Sequence, residues 1–159
     1  MAILPVITGP DSPILRNGTK RVAKVTKELQ KLFKDMRDTM VAEVGVGIAA
    51  PQVGSDLRIC LAKIDGRVAT LVNPEITFRG ARKETDEEGC LSCPGFQVAV
   101  PRSTEIIVRY LDGRGQKQER KLTDYNARVV QHEVDHLDGV LIVDYLPAGL
   151  SHQPVGHGG

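Results

Sequence analysis

The sequence predicts an α+β fold in which two helices accompany antiparallel β-hairpins. One segment near the N-terminus has apolar residues at helical spacing, two later pairs of segments alternate around glycine-containing turns, and a second helical segment follows them. The 159 residues suffice for one domain with a sizeable core, so a single catalytic domain is expected over residues 1–146. Residues 147–159 are rich in Gly, Pro and His without periodicity, which predicts a flexible C-terminal tail.

The first predicted helix lies within residues 19–40. Its apolar residues recur every three or four positions, which is typical of an amphipathic helix with one buried face. We expect this face to be core, and it consists of Val22, Val25, Leu29, Leu32, Phe33, Met36 and Met40.

Two hairpins and a second helix are predicted next. Residues 57–64 and 67–73 flank Asp65-Gly66, and residues 104–111 and 116–123 flank a turn at residues 112–115. The second helix is expected to begin near Thr123 or Asp124 and to end at Gly139, a residue that adopts the left-handed conformation easily. Its apolar face is predicted to comprise Val130, Val134 and Leu137.

Two histidines one helical turn apart distinguish this second helix. His132 and His136 lie in the segment QHEVDHLDG, and a helix advances about 100° per residue, so both imidazoles point to the same side. Histidines at this spacing can simply form hydrogen bonds on a solvated helix face. Alternatively, they bind a metal ion, and the neighbouring Glu133 is the general base for a metal-bound water.

The amino-acid composition argues against several classes of protein. The chain has 21 Lys and Arg against 20 Asp and Glu, a net charge of +1, which argues against nucleic-acid binding and against an anionic membrane surface. No apolar run is long enough for a membrane helix, and the N-terminal segment lacks the features of a signal peptide. The three cysteines are too few for a disulfide framework. A cytoplasmic protein whose thiols can bind metal is therefore expected.

A third metal ligand is expected in the segment EGCLSCPG at residues 88–95. Cys60 alternates within a predicted strand and is interpreted as a small buried hydrophobic residue. Cys90 and Cys93 form, together with the two histidines, a C-x-x-C and H-x-x-x-H set, so a closed structural zinc site is an alternative. However, the two pairs are much farther apart than in a compact zinc finger, and a domain of this size needs no metal to fold.

A third segment, GVGIAAPQVG, follows the first helix at residues 45–54. Its glycines let another chain approach the backbone closely, and Gln52 offers a side-chain amide donor, although a simple helix-ending loop would look similar. GVGIAAPQ, EGCLS and QHEVDHLDG, in this order and spacing, resemble the three signature motifs of the peptide deformylases. The resemblance extends from the first helix to about Tyr145, is closer to the organellar-type branch in ARVVQHE, and implies antiparallel sheets around a central metal-binding helix.

Carried over motif by motif, the resemblance implies one divalent metal ion bound by Cys90, His132 and His136. Three protein ligands leave a fourth tetrahedral position for water, whose pKa a bound zinc ion lowers to about 7. A thiolate ligand favours softer metals than magnesium or calcium. The family implies Fe(II) as the native metal, with Zn(II) or Ni(II) as alternatives in purified protein. Cys93 falls where the family requires no ligand, so its thiol is expected to be free.

The implied activity is hydrolysis of the N-formyl group of the N-terminal formyl-methionine of newly made polypeptides, with release of formate. Glu133 would pass a proton to the leaving amine. The developing oxyanion would be held by the metal, by the side-chain amide of Gln52 and by the backbone N–H of Leu91.

N-formyl-methionyl nascent peptides are the implied partners. Their backbone is expected to lie extended, as an added strand, against Gly45, Val46 and Gly47. Residues three, four and seven before His132 share its helix face, so the methionine pocket is expected to be lined by Val129, Arg128 and Tyr125. The guanidinium of Arg128 would then reach out to water while its aliphatic stem lines the pocket.

Two other functions are alternatives. A peptidase of the H-E-x-x-H type would share Glu133 and both histidines, but its third ligand lies further along the chain, where only the tail offers histidine. An inactive relative that acts as a binding module should lack a ligand or the glutamate, and none is missing. The chain ends soon after Tyr145, without the C-terminal helix of many longer bacterial relatives, so any transient contact with the ribosome would not use such a helix.

Overall fold

The computed structural model describes residues 2–147, so the predicted tail, apart from Pro147, lies outside the described residues. The helices are α1 (Pro13–Arg16), α2 (Lys27–Ala42) and α3 (Asp124–Leu137), and 3₁₀ turns span Ala50–Val53 and Ile142–Tyr145. The strands are β1 (Gly47–Ala49), β2 (Ile59–Ile64), β3 (Arg67–Arg79), β4 (Lys83–Glu88), β5 (Val98–Ser103), β6 (Glu105–Leu111) and β7 (Lys117–Thr123). Within residues 2–147, no helix is long and apolar enough to cross a membrane.

The strands form two antiparallel sheets. A five-stranded sheet has the order β1-β2-β3-β6-β7, and β4 pairs with β5 in a separate two-stranded sheet. Both predicted hairpins are confirmed, and the β2–β3 turn has positive φ angles at Asp65 (52°) and Gly66 (77°), as a tight two-residue hairpin turn requires. The predicted α+β fold with antiparallel sheets is therefore confirmed.

The first long helix begins later in the chain than predicted. The side chain of Thr26 accepts a hydrogen bond from the Leu29 N–H at 3.2 Å and caps α2, which starts at Lys27. Val22 instead precedes the helix, and its N–H and C=O both bond to the side chain of Asn73, at 2.7 and 2.8 Å. The apolar spacing suggested a longer helix because Val22 still packs in the same core cluster as the helix.

Both faces of the large sheet are covered by helices, and β2 shows the division. Ile59 and Leu61 pack in a cluster with α2, whereas the alternate residues Cys60 and Ala62 pack in a cluster with α3. Cys60 is fully buried, as predicted for a small hydrophobic residue. The α3 side of this core includes the predicted apolar face of Val130, Val134 and Leu137.

The N-terminal segment is fastened to the chain beyond α3. The hydroxyl of Thr19 donates to the Leu137 carbonyl at 2.8 Å, and Arg16 Nη1 donates to the Gly139 carbonyl at 3.2 Å and to Asp144 Oδ2 at 2.6 Å. Gly139 has φ +77°, and an added Cβ there would overlap the backbone of Arg16. The end of α3 is therefore held against residues 16–19.

Candidate active site

The three predicted metal ligands converge between α3 and the segment that follows β4. His132 and His136 have ring centroids 5.1 Å apart on α3, and Cys90 Sγ lies 3.2 Å from His136 Nε2. The ligand atoms of Cys90, His132 and His136 all lie within 4.8 Å of one another. Two imidazoles and one thiol in this arrangement could hold a metal ion such as iron or zinc.

The surroundings of the two histidines suit a metal ion. Burial lowers the pKa of His136 well below its usual value, which keeps the imidazole neutral with a lone pair to donate. Burial acts to lower the pKa of His132, but the hydrogen bond from its Nδ1 to Glu88 Oε1, 2.8 Å long, and the negative charges of Glu133 and Glu88 together raise that pKa. A carboxylate on the far nitrogen orients a histidine and makes it a stronger metal ligand. The donor set therefore fits a metal site.

Glu88 is a central residue of the site that the sequence analysis did not single out. Its carboxylate accepts from Arg102 at 2.9 and 3.0 Å, from Arg128 at 2.6 Å and from His132 at 2.8 Å. Burial acts to raise the pKa of Glu88, but the hydrogen bonds with His132 and Arg102 and the positive charges of these two residues together lower it to about 2. Its spacing from Cys90 could have indicated this role: Glu88 lies two residues before Cys90, and in an extended strand such residues have their side chains on the same face.

Arg102 links this carboxylate to Asp135, which lies one turn after His132 on α3. It donates to Asp135 Oδ2 at 2.6 Å, and the Tyr145 hydroxyl donates to the same oxygen at 2.7 Å. Because Arg102 has only 4% of its side chain exposed, these contacts form a buried ion network that reaches His132 through Glu88. Such networks fix the rotamers of the groups they contact.

Glu133 lies on α3 beside the ligand group and against β1. Its side chain is buried, and within the described residues its Oε1 has no hydrogen-bond partner. Burial raises the pKa of Glu133 to about 7, which suits a group that takes and returns a proton near neutral pH. A Cβ added at Gly47 would lie 2.9 Å from the Glu133 carboxyl carbon, so any other residue there would have to displace the Glu133 carboxylate.

Gln52 is held with its amide nitrogen towards the cysteine. Its Oε1 accepts from the Ala49 N–H at 2.9 Å, and its Nε2 donates to Ser92 Oγ at 3.1 Å and lies 3.8 Å from Cys90 Sγ. Leu91 follows Cys90 and lines the same cavity. Both groups that the sequence assigned to the oxyanion thus lie next to Cys90.

A cavity of about 530 Å³ opens onto this group of residues. The first motif lies on one wall, and β1 is at the edge of the five-stranded sheet. Val129 is almost fully buried, whereas Tyr125 is 60% exposed at the rim. The residues predicted to contact substrate all line the cavity: Gly45, Val46, Gly47, Tyr125, Arg128 and Val129.

The expectation that the Arg128 guanidinium reaches out to water was wrong. It donates to Glu88 Oε2 at 2.6 Å, to the Val100 carbonyl at 2.9 Å and to the Glu84 carbonyl at 2.7 Å. These acceptors belong to the β4–β5 hairpin, which the sequence analysis did not predict. The inward carboxylate and the two carbonyls therefore outcompete solvent for this cation.

Comparisons with known proteins agree with this geometry. A family profile described as polypeptide deformylase matches residues 3–150. The peptide deformylase of Pseudothermotoga lettingae is 46% identical over 136 residues, covering 86% of this chain and 79% of that protein. The crystal structure of peptide deformylase from Thermotoga maritima has a TM-score of 0.89 at 40% identity and covers 92% of this chain and 99% of that chain. The structure from Ehrlichia chaffeensis in complex with actinonin has a TM-score of 0.87 at 36% identity and covers 93% and 91%.

The family profile and these relatives each cover most of the chain, and the two relatives from Pseudothermotoga lettingae and Thermotoga maritima are 46% and 40% identical to it in sequence. The chain therefore belongs to the polypeptide deformylase family.

Proposed function

We propose that this chain removes the N-formyl group from the N-terminal formyl-methionine of newly made polypeptides and releases formate. The observation that carries the proposal is the meeting of a three-residue ligand group, a buried carboxylate and an oriented amide at one cavity. Family membership supports the same reaction over a peptidase or an inactive binding module.

The metal would be held by Cys90, His132 and His136, one divalent ion per chain. When bound, it would supply Lewis acidity, which makes water a nucleophile at neutral pH and stabilises negative charge on oxygen. One thiolate with two imidazoles favours Fe(II), Zn(II) or Ni(II) over magnesium or calcium. Membership of the family supports Fe(II) as the native ion, with Zn(II) or Ni(II) as alternatives in purified protein.

Glu133 would carry the proton through the reaction. It takes a proton from water as the water oxygen attacks the formyl carbon, and it returns that proton to the amine nitrogen as the C–N bond breaks. The raised pKa of Glu133, about 7, supports both transfers in one turnover. The products are formate and a free amino terminus.

The side-chain N–H of Gln52 and the backbone N–H of Leu91 would donate to the oxyanion that develops on the formyl oxygen. The fixed orientation of Gln52, through Ala49 and Ser92, supports this role because a donor that is already aligned needs no reorganisation during the reaction.

The peptide would bind as an added strand along the exposed edge of β1, next to residues 45–47. Hydrogen bonds to the peptide main chain do not depend on the side chains of the substrate, which suits an enzyme that acts on many different sequences. The methionine side chain would enter the cavity beside Val129, Tyr125 and the aliphatic part of Arg128.

Release of formate from a formyl-Met peptide tests the proposal. Protein purified anaerobically and loaded with Fe(II), Zn(II) or Ni(II) should release one formate per free amino terminus formed, and the metal-free protein should not. Actinonin, which is bound in the similar Ehrlichia chaffeensis structure, should inhibit the reaction. Cys90→Ser should lose metal affinity or activity, with Cys60→Ser as the matched control. Metal-loaded protein that releases no formate would contradict the proposal.

We further propose that residues 1–146 form the catalytic domain and that the enzyme acts in the cytoplasm, with transient access to chains at the ribosome. The match of the family profile over residues 3–150 supports the first part. A variant without residues 147–159 should keep its kcat/KM for formyl-Met peptides.

A further inference from the structure

A second thiol lies next to the candidate metal ligand, and the proposed function does not use it. The Cys93 side chain is fully buried and packs in one core cluster with the Cys90 side chain. Cys93 is not one of the three grouped ligand residues, and no deformylase role carried over by the motifs falls on it. Its position beside Cys90 therefore needs another explanation.

The backbone holds these two cysteines at a distance that suits a disulfide. The Cys93 N–H donates to the Cys90 carbonyl at 3.0 Å, which closes a turn with Leu91 and Ser92 at its centre. The ends of such a turn have Cα atoms less than about 7 Å apart. Disulfides join Cα atoms about 4.4 to 6.8 Å apart, so the two sulfurs can be linked with little movement of the chain.

The two thiols differ in access. Cys90 lines the cavity and is partly exposed, so a small oxidant can reach its sulfur. Cys93 lies behind it in a core cluster with Phe96, Val98 and Leu141. A partly exposed sulfur with a buried partner is the arrangement in which one cysteine is oxidised first and the second then resolves it.

We propose that Cys90 and Cys93 are a redox modification site at which hydrogen peroxide forms a reversible disulfide. In the first step, the Cys90 sulfur attacks a peroxide oxygen, the O–O bond breaks, and Cys90 becomes a sulfenic acid as water leaves. In the second step, the Cys93 sulfur attacks Cys90 Sγ, the S–O bond breaks, and a second water leaves. Peroxide is reduced to two water molecules, and the two thiols are oxidised.

The disulfide would stop metal binding without destroying the site. A cysteine binds a metal ion as the negatively charged thiolate, and a sulfur atom in a disulfide carries no negative charge. A lone Cys90 would instead continue to the sulfinic and sulfonic acids, which thiol reductants do not reverse. Cys93 thus protects the ligand, and reduction restores it.

Mass spectrometry of peroxide-treated protein tests the pair directly. Both cysteines lie in one tryptic peptide, residues 84–102, whereas Cys60 lies in the peptide of residues 59–63 and serves as an internal control. The protein is loaded with zinc, because zinc has no redox chemistry of its own with peroxide. Peptide mass and bound zinc are measured before peroxide, after peroxide, and after a thiol reductant with fresh zinc.

In the wild type, the peptide of residues 84–102 should lose two hydrogens, zinc should be released, and the reductant should restore both. In Cys93→Val, which keeps an apolar side chain in the core, the same peptide should gain oxygen atoms and most of the zinc should not return. Cys93→Ser provides the same comparison if the valine variant does not fold.

Oxygen gain without a disulfide in the wild type, or zinc recovery by the Cys93 variants as complete as in the wild type, would overturn the proposal. So would a wild-type peptide that peroxide leaves unchanged. The inference rests on the two thiols, and its readouts are peptide mass and bound zinc, so a failure here is separate from a failure to release formate.

Discussion

Val44 occupies a backbone conformation that a β-branched residue rarely adopts, and its replacement should stabilise the protein. It follows α2 with φ +55°, its N–H donates to the Val41 carbonyl at 3.0 Å, and the next N–H, of Gly45, donates to the Met40 carbonyl at 2.9 Å. This pattern ends a helix with a left-handed residue, a position where glycine is strongly preferred. The Val44 side chain is 89% exposed, so its burial compensates little for the strain.

The expected gain for Val44→Gly follows from two opposing terms. A residue with a Cβ costs about 1 to 2 kcal/mol in the left-handed region, whereas glycine loses about 0.5 to 1 kcal/mol more backbone entropy on folding. The difference between the two terms is about 0 to 1.5 kcal/mol, so the variant should be more stable by about 0.7 kcal/mol at the middle of these ranges. For a domain of this size each kcal/mol raises Tm by about 2 to 4 °C.

Urea unfolding of metal-loaded protein, followed by circular dichroism, measures this difference. Val41→Gly is the matched control, since Val41 is also exposed, at 58%, but lies within α2 at a helical φ. The control should lower the free energy of unfolding by about 0.3 kcal/mol, because glycine is a slightly poorer helix former than valine. The reasoning is refuted if Val44→Gly lowers the unfolding midpoint, or if the two substitutions change it alike.

Four further predictions concern the site. Glu133→Gln should keep the metal and lower kcat/KM by about 10²- to 10⁴-fold, and activity above about a tenth of wild type would remove Glu133 from proton transfer. Gly47→Ala should lower kcat at unchanged metal content, because its Cβ displaces the Glu133 carboxylate; an unchanged kcat would show that the carboxylate can move freely. Glu88, whose pKa falls from 4.5 to about 2, stabilises the folded state above pH 4.5 by about 3 kcal/mol, and this is lost as pH falls towards 2. Urea midpoints of wild type and Glu88→Gln should therefore differ near neutral pH and converge in acid, and parallel curves would contradict this. Val129→Asp should reduce kcat/KM for formyl-Met peptides more than for formyl-Gly peptides, and equal losses would place the pocket elsewhere.

The features of the fold that were predicted correctly are determined by residues close together in the sequence. Asp65-Gly66 defines its hairpin through two residues that tolerate positive φ, and the spacing of His132 and His136 places both on one face whatever α3 packs against. These features depend on neighbours within a few residues, so the pattern alone suffices.

Long-range contacts account for what was missed. All residues of β4 except Thr85 are charged, and all except Glu88 are exposed, so no apolar alternation marks a strand that its pairing with β5 creates. The direction of Arg128 depends on that hairpin, because its acceptors include Glu88 and the Val100 carbonyl. The contacts of Arg102 could not be predicted either, because no local sequence pattern shows that its partners are Glu88 and Asp135.

The bonds between residues 16–19 and the end of α3 bear on how the protein matures during its own synthesis. Arg16 and Thr19 leave the ribosome long before Leu137, Gly139 and Asp144, to which they bond. The histidine ligands are also made late, at residues 132 and 136. At about 5 to 20 residues per second, the early segment waits several seconds for its partners. A chain that still lacks α3 therefore has only one of the three ligand residues, and the metal site can form only after the C-terminal end of α3 is available to residues 16–19.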